Sequence, residues 1–139
     1  MAVTVINLIF SWGLLVLIWL VQIIIYPGFH QVPSEDFRKY HDWYVKRITV
    51  IVLPLMIGEA AAVALWFATA ASMAAGMAAV LVVVVWAATF LLQVPIHRLL
   101  RKGKQTKLIN LLVATNWIRT IAWSLKALMV TVLVARQLF

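Results

Sequence analysis

Residues 108–135 run LINLLVATNWIRTIAWSLKALMVTVLVA. This stretch is long enough to cross a bilayer, which takes roughly 20 mostly apolar residues. Yet it carries Asn116, Arg119, Thr120, Trp123 and Lys126. At about 100° per residue these five fall within an arc of about 120° on a helix, and Leu111, Ile118, Ala122, Leu125 and Met129 take the opposite face. A polar stripe on a spanning helix turns towards partner helices or a wet cavity, away from lipid. The stretch therefore reads as one helix of a membrane bundle.

Working outward, three more stretches reach spanning length, at about 5–26, 48–70 and 74–94, beside the one at 108–135. Composition agrees: 65% hydrophobic residues and a mean hydropathy of +1.03 exceed what a soluble domain of 139 residues can hide in its core. The first stretch is too long for a signal-peptide core. Tyr26-Pro27-Gly28 follows it in place of a small-residue cleavage site, so it reads as a retained helix. No long polar region separates the spans, and residues 1–139 are expected to form a single transmembrane domain. The expected fold is all-α, an integral membrane four-helix bundle with up-down-up-down order. Ser34 after Pro33 is a good helix cap, and Glu35 and Asp36 suit a helix N-terminus. The second helix is thus expected to extend into the cytoplasm and to kink at Pro54, with Pro95 acting likewise near the end of the third span.

Orientation follows from the cations. Arg38, Lys39, Lys46 and Arg47 precede the second span, and Arg98, Arg101, Lys102, Lys104 and Lys107 join the third to the fourth. All nine lie on one side, which the positive-inside rule makes cytoplasmic. Both termini then lie outside the cytoplasm, in the cell (inner) membrane. A net charge of +8 placed beside membrane spans suits anionic lipid headgroups and does not imply nucleic acid. Small residues in the third span, among them Ala75, Gly76, Ala78, Ala87 and Ala88, permit close helix approach within the chain or in a homo-oligomer.

Three charges fall inside spans: Glu59 in the second, Arg119 and Lys126 in the fourth. A charge at the bilayer centre costs ~2.5 kcal/mol or more unless paired or hydrated. Glu59 lies twelve residues past Arg47 and Arg119 twelve past Lys107, each about 18 Å deep by helical rise. The equal depths predict a buried Glu59–Arg119 ion pair, with Lys126 snorkelling outward. Gln22, Tyr44, Gln93, Asn116, Arg119 and Trp123 are the candidate ligand-binding residues of a polar pocket open to the cytoplasmic side. The amides could equally serve to join helices by hydrogen bonds.

His41 and His97, with Glu59 and Arg119, are the candidates for chemistry. Two imidazoles from different helices could hold a haem iron or, with a carboxylate such as Asp42, a non-haem metal. The other reading is interfacial histidines that bind headgroups, backbone or substrate without any cofactor. No two histidines stand at i, i+3 or i, i+4, and about 27 Å of rise keeps His41 and Glu59 from sharing a metal. With no cysteine in the chain there is neither a disulfide framework nor a thiolate nucleophile. Walker, dinucleotide-binding, zincin and serine-elbow motifs are also absent from the sequence. A short internal repeat relates Gln22 to His30, which contains Pro27, to Gln93-Val94-Pro95-Ile96-His97.

Tyr26-Pro27, residues 37–48 with Tyr40-His41, Pro54 with Glu59, residues 93–97 and Asn116-Trp117-Ile118-Arg119-Thr120 together resemble a pattern of small four-helix bacterial membrane proteins of unassigned function. These are remotely similar in layout to the anthrone-oxygenase-like membrane proteins. The resemblance covers most of the chain, implies a four-helix fold and oxidation of a hydrophobic small molecule, and carries over no catalytic residue. Two functions are therefore expected to compete. One is a membrane oxidoreductase acting on a hydrophobic small molecule. The other is a non-catalytic bundle that binds or transports a lipid or anion, with Glu59–Arg119 as a structural clasp.

Overall fold

Four helices account for almost all of residues 2–138, which the computed structural model describes. Helix α1 spans Ala2–Gln31, α2 Ser34–Thr69, α3 Met73–Leu100 and α4 Thr106–Leu138. Each is long and apolar enough to cross a membrane, which suggests a multi-pass membrane protein. Helix α1 packs against α2 and α4, and α3 packs against the same two, an arrangement compatible with a membrane four-helix bundle.

The helices overrun the expected spans because polar residues at their ends continue the backbone hydrogen bonding beyond the apolar window. Helix α2 runs unbroken from Ser34, with Glu35 and Asp36 in its first turn and Pro54 inside it. Ser34 is its first residue and not its cap; Pro33 takes that position without a side-chain hydrogen bond. At the start of α3, Ser72 does cap, its hydroxyl accepting from the Ala75 N–H at 3.2 Å. Gly103, with φ of 144°, turns the chain from α3 into α4 in a conformation that suits glycine.

Two prolines act alike and differently from expectation. A proline ring collides with the carbonyl one turn earlier in an α-helix. Here the helix widens before each into a π turn, Val21–Ile25 before Pro27 and Thr89–Gln93 before Pro95. The Tyr26 N–H reaches back to the Val21 carbonyl, and the Val94 N–H to that of Thr89, so the backbone stays paired where a simple kink would leave a carbonyl free. The sequence repeat thus has a structural counterpart in α1 and α3.

Two apolar clusters fill the interior. One holds Leu14, Ile18, Phe29, Phe37, Leu100 and Leu112; the other holds Val63, Trp66, Ala75, Ala78, Val130 and Val134. Ala75, Ala78 and Ala88 are buried, so part of the small-residue run of α3 serves packing within the chain. Helices α1 and α2 lie close at Gly58, where an added Cβ would collide with the ring of Phe10. Gly58→Ala is expected to cost about 1–3 kcal/mol by overpacking, and Phe10→Ala in the same chain to recover part of it. Unfolding midpoints in mixed micelles test this; an unshifted midpoint for Gly58→Ala would mean that the two helices do not touch there.

Candidate functional site

The polar stripe of α4 lies inward as its periodicity predicts, with Asn116, Arg119, Thr120, Trp123 and Lys126 all buried. Leu111, Ile118 and Leu125 on the other face are exposed, whereas Ala122 departs from the pattern and joins the core.

The partner of Glu59 is not the expected one. Its Oε1 lies 2.9 Å from Lys126 Nζ, with both side chains almost fully buried, and its Oε2 accepts from the Trp123 indole N–H at 2.8 Å. Lys126 also donates to Ser11 Oγ at 2.8 Å. The predicted Glu59–Arg119 pair and the outward snorkelling of Lys126 are both corrected. The cause is the level mark. Asp42 of α2 stands 3.5 Å from Arg101, just past the end of α3, so Asp42 and not Arg47 faces the connection that leads into α4. Counting 59 − 42 = 17 residues up α2 gives about 26 Å, and 126 − 107 = 19 up α4 gives about 29 Å. The partner is thus Lys126, two turns beyond Arg119.

Arg119 is left on its own side of Trp123, with the guanidinium carbon 5.1 Å from that ring centroid. It is 5% exposed, and among the described residues no carboxylate pairs with it. Its Nε is buried without a hydrogen-bond partner. Arg119 lines a cavity of about 430 Å³ between α2 and α3, within the ~300–1,000 Å³ usual for small-molecule sites. Val45, Ile48, Val52, Met56, Trp86 and Phe90 make it largely apolar; Tyr26, Tyr44, Gln93 and His97 bring polar groups, and Arg98 and Arg101 also line it. It opens where the π turn interrupts α3: α2 packs against residues 73–88 and far less against the turn and residues 94–100. Thr89, Phe90 and Gln93 of that turn form part of the wall.

Beside the cavity three helix ends meet in a hydrogen-bonded chain. The Tyr26 hydroxyl lies 3.1 Å from His97 Nε2, and His97 Nδ1 lies 2.9 Å from His41 Nε2. Phe29 packs edge-on to Tyr44 and His41, and Phe37 stacks on His41 at 5.6 Å, so the imidazole of His41 sits in an aromatic box. The facing nitrogens are at the distance of one shared proton. Asp42 is turned to Arg101, and among the described residues no three His, Cys, Asp or Glu side chains cluster as a metal site. The third histidine, His30, pairs separately with Asn110 at 2.9 Å.

Of the residues expected to bind a ligand, the cavity gathers Tyr44, Gln93 and Arg119. Gln22 and Asn116 serve helix joining: Asn116 donates to Gln22 Oε1 at 2.8 Å, as Thr120 does at 3.1 Å, and Gln22 donates to the Val113 carbonyl. Trp123 is a partition between the ion pair and the cavity. Sequence reasoning missed Tyr26, Arg98 and Arg101. Tyr26 offered a signal, being a polar-tipped residue on the turn after Gln22; the arginines were absorbed into the interfacial charge. Comparison with family models, curated proteins and solved structures finds no match to the chain, so the site's chemistry rests on its geometry.

Proposed function

We propose that the chain binds a lipophilic small molecule bearing an anionic oxygen, held in the cavity between α2 and α3 with Arg119 as its counter-ion. The observation that supports this most directly is a buried guanidinium without a carboxylate. Arginine stays ionised, and a buried charge calls for an opposite one. Glu59, the one acid in the second span, is already held by Lys126. The apolar walls suit the ligand's body, and Arg98 and Arg101 at the lining draw an anion towards the site. The Glu59–Lys126 pair then takes the clasp role, two turns away from where the sequence put it.

The test is a ligand series on detergent-purified protein. Palmitate is expected to raise the unfolding midpoint, its methyl ester to do so much less, and the long-chain amine not at all. Equal responses to all three would overturn the reading.

A second reading, oxidation of the bound molecule, draws on the Tyr26–His97–His41 chain against the cavity, which can hold and move a proton. With no cysteine in the sequence, the electrons would have to pass through a bound cofactor. An absorption spectrum and metal analysis of the purified protein separate the two readings, since a haem band or stoichiometric metal favours oxidation.

The topology belongs to the same proposal: up-down-up-down order in the cell (inner) membrane, both termini outside the cytoplasm, α2 continuing past the bilayer on the cytoplasmic side and bent at Pro54. The gathering of nine of the twelve Lys and Arg residues at one end supports it. There Lys104 also donates to the His30 and Val32 carbonyls at 2.8 and 2.7 Å. The chain lacks cysteine, so Ser72→Cys and Lys102→Cys can be labelled singly. An impermeant thiol reagent is expected to reach the first in intact cells and the second only after lysis. The reverse pattern would invert the topology.

A further inference from the structure

We propose that His41 and His97 are positioning residues that turn the Tyr26 hydroxyl proton into the cavity, so that the ligand's oxygen is held between two donors, Arg119 and Tyr26. The inference rests on the cavity being a binding site, and it narrows the ligand to one whose oxygen accepts two hydrogen bonds at once.

The number of protons available fixes the direction of the hydrogen bonds. In the chain from Tyr26 Oη through His97 Nε2 and Nδ1 to His41 Nε2, each link holds one hydrogen, and neutral imidazole carries a single N–H. Two assignments satisfy both links. In the first, Tyr26 donates to His97 Nε2 and His97 Nδ1–H donates to His41 Nε2, so His41 must carry its proton on Nδ1. That nitrogen is buried and has no hydrogen-bond partner among the described residues, and its ring packs against those of Phe29 and Phe37. A donor would be orphaned there. In the second, His41 Nε2–H donates to His97 Nδ1, and His97 Nε2–H donates to the Tyr26 oxygen. Only a lone pair is then left bare at His41 Nδ1. The spare donor of the second assignment is instead the Tyr26 O–H, which is on the wall of the cavity, where water or a ligand can accept it; a donor sealed at His41 Nδ1 has no such outlet and is the costlier fault, so the second assignment is favoured.

Its consequence lies at the other end of the chain. With its oxygen already accepting from His97, Tyr26 has its own O–H to give. Arg119, on the same cavity wall, has five donors and no acceptor, so it cannot take that proton. Tyr26, His97 and Arg119 all line the cavity. The site therefore presents a guanidinium and a phenol O–H together, an arrangement suited to a carboxylate, enolate or phenolate oxygen and wasted on an amine. No proton leaves the chain and no bond is broken; the histidines act only by direction.

Two measurements test this on the full-length protein in detergent. Nitrogen-15 spectra of histidine-labelled protein, assigned with single histidine variants, distinguish the ring tautomers without any ligand. His97 is expected as the Nε2–H form, and the Nδ1–H form would overturn the proposal. In palmitate titrations, Tyr26→Phe is expected to weaken binding roughly tenfold or more. His41→Phe should weaken it comparably in the natural chain but add little once Tyr26→Phe is present. His41→Gln, whose amide can replace the Nε2–H donor, should stay near the natural affinity. Additive losses, or His41→Phe without effect, would overturn the positioning role while leaving the Arg119 site standing. Absence of palmitate binding to the natural chain would remove the binding reading and this inference with it.

Discussion

Lys126→Met is expected to cost about 3–5 kcal/mol of stability, the largest loss from any single substitution outside the apolar core. Its side chain is 1% exposed, 2.9 Å from Glu59 Oε1, and removing it strands a carboxylate whose remaining partner is the Trp123 indole. Glu59→Gln should be comparably damaging for the mirror reason, because an ammonium held only by Ser11 Oγ is then left buried. The double variant Glu59→Gln with Lys126→Met is expected to lie well below the sum of the two and to be no worse than either alone. Desolvating the two charges consumes most of what their attraction returns, so removing both is cheap where removing one is not. Reversible unfolding in mixed micelles gives the three midpoints. A double variant as poor as the summed singles would mean that the two groups do not act as a pair.

What the sequence made legible was what lipid enforces. Four spans stand out because each must be apolar over a bilayer's width, and the inward face of α4 stands out because 100° per residue carries Asn116, Arg119, Thr120, Trp123 and Lys126 round to one side. The level of α2 against α4 was not legible. Arg47 and Lys107 look like marks of one plane, but long basic side chains snorkel and fix no level. The contact that does fix it, Asp42 with Arg101, is tertiary. The same holds for the site. His41 and His97 are 56 residues apart and share no helical spacing, so only the meeting of α2 and α3 makes them a couple. The cavity lies beside a π turn, and Pro95 signalled a disturbance there without saying that it would be a widening that keeps the backbone paired.

Arg119→Gln separates function from stability with opposite signs. In the ligand-free protein the guanidinium is 5% exposed, unpaired by any carboxylate among the described residues and stacked over Trp123. Replacing it by a neutral amide removes a buried charge that no carboxylate among the described residues compensates, and a charge placed so deep costs about 2.5 kcal/mol or more. The cation–π contact returns only part, about 2 kcal/mol when desolvated. The unliganded variant is therefore expected to be as stable as the natural chain or more so, by up to about 1 kcal/mol. Binding should move the other way. Truncating one partner of a buried, hydrogen-bonded charge pair costs about 2–5 kcal/mol, which is roughly thirtyfold or more in the affinity for palmitate. Arg119→Lys should fall between, since it keeps the charge but loses the planar fork. Unfolding midpoints with and without palmitate read both effects on the same samples. A stabilised variant with lost binding is what a site retained for its ligand produces. A destabilised variant with unchanged binding would instead make Arg119 a structural residue and leave the cavity without its anchor.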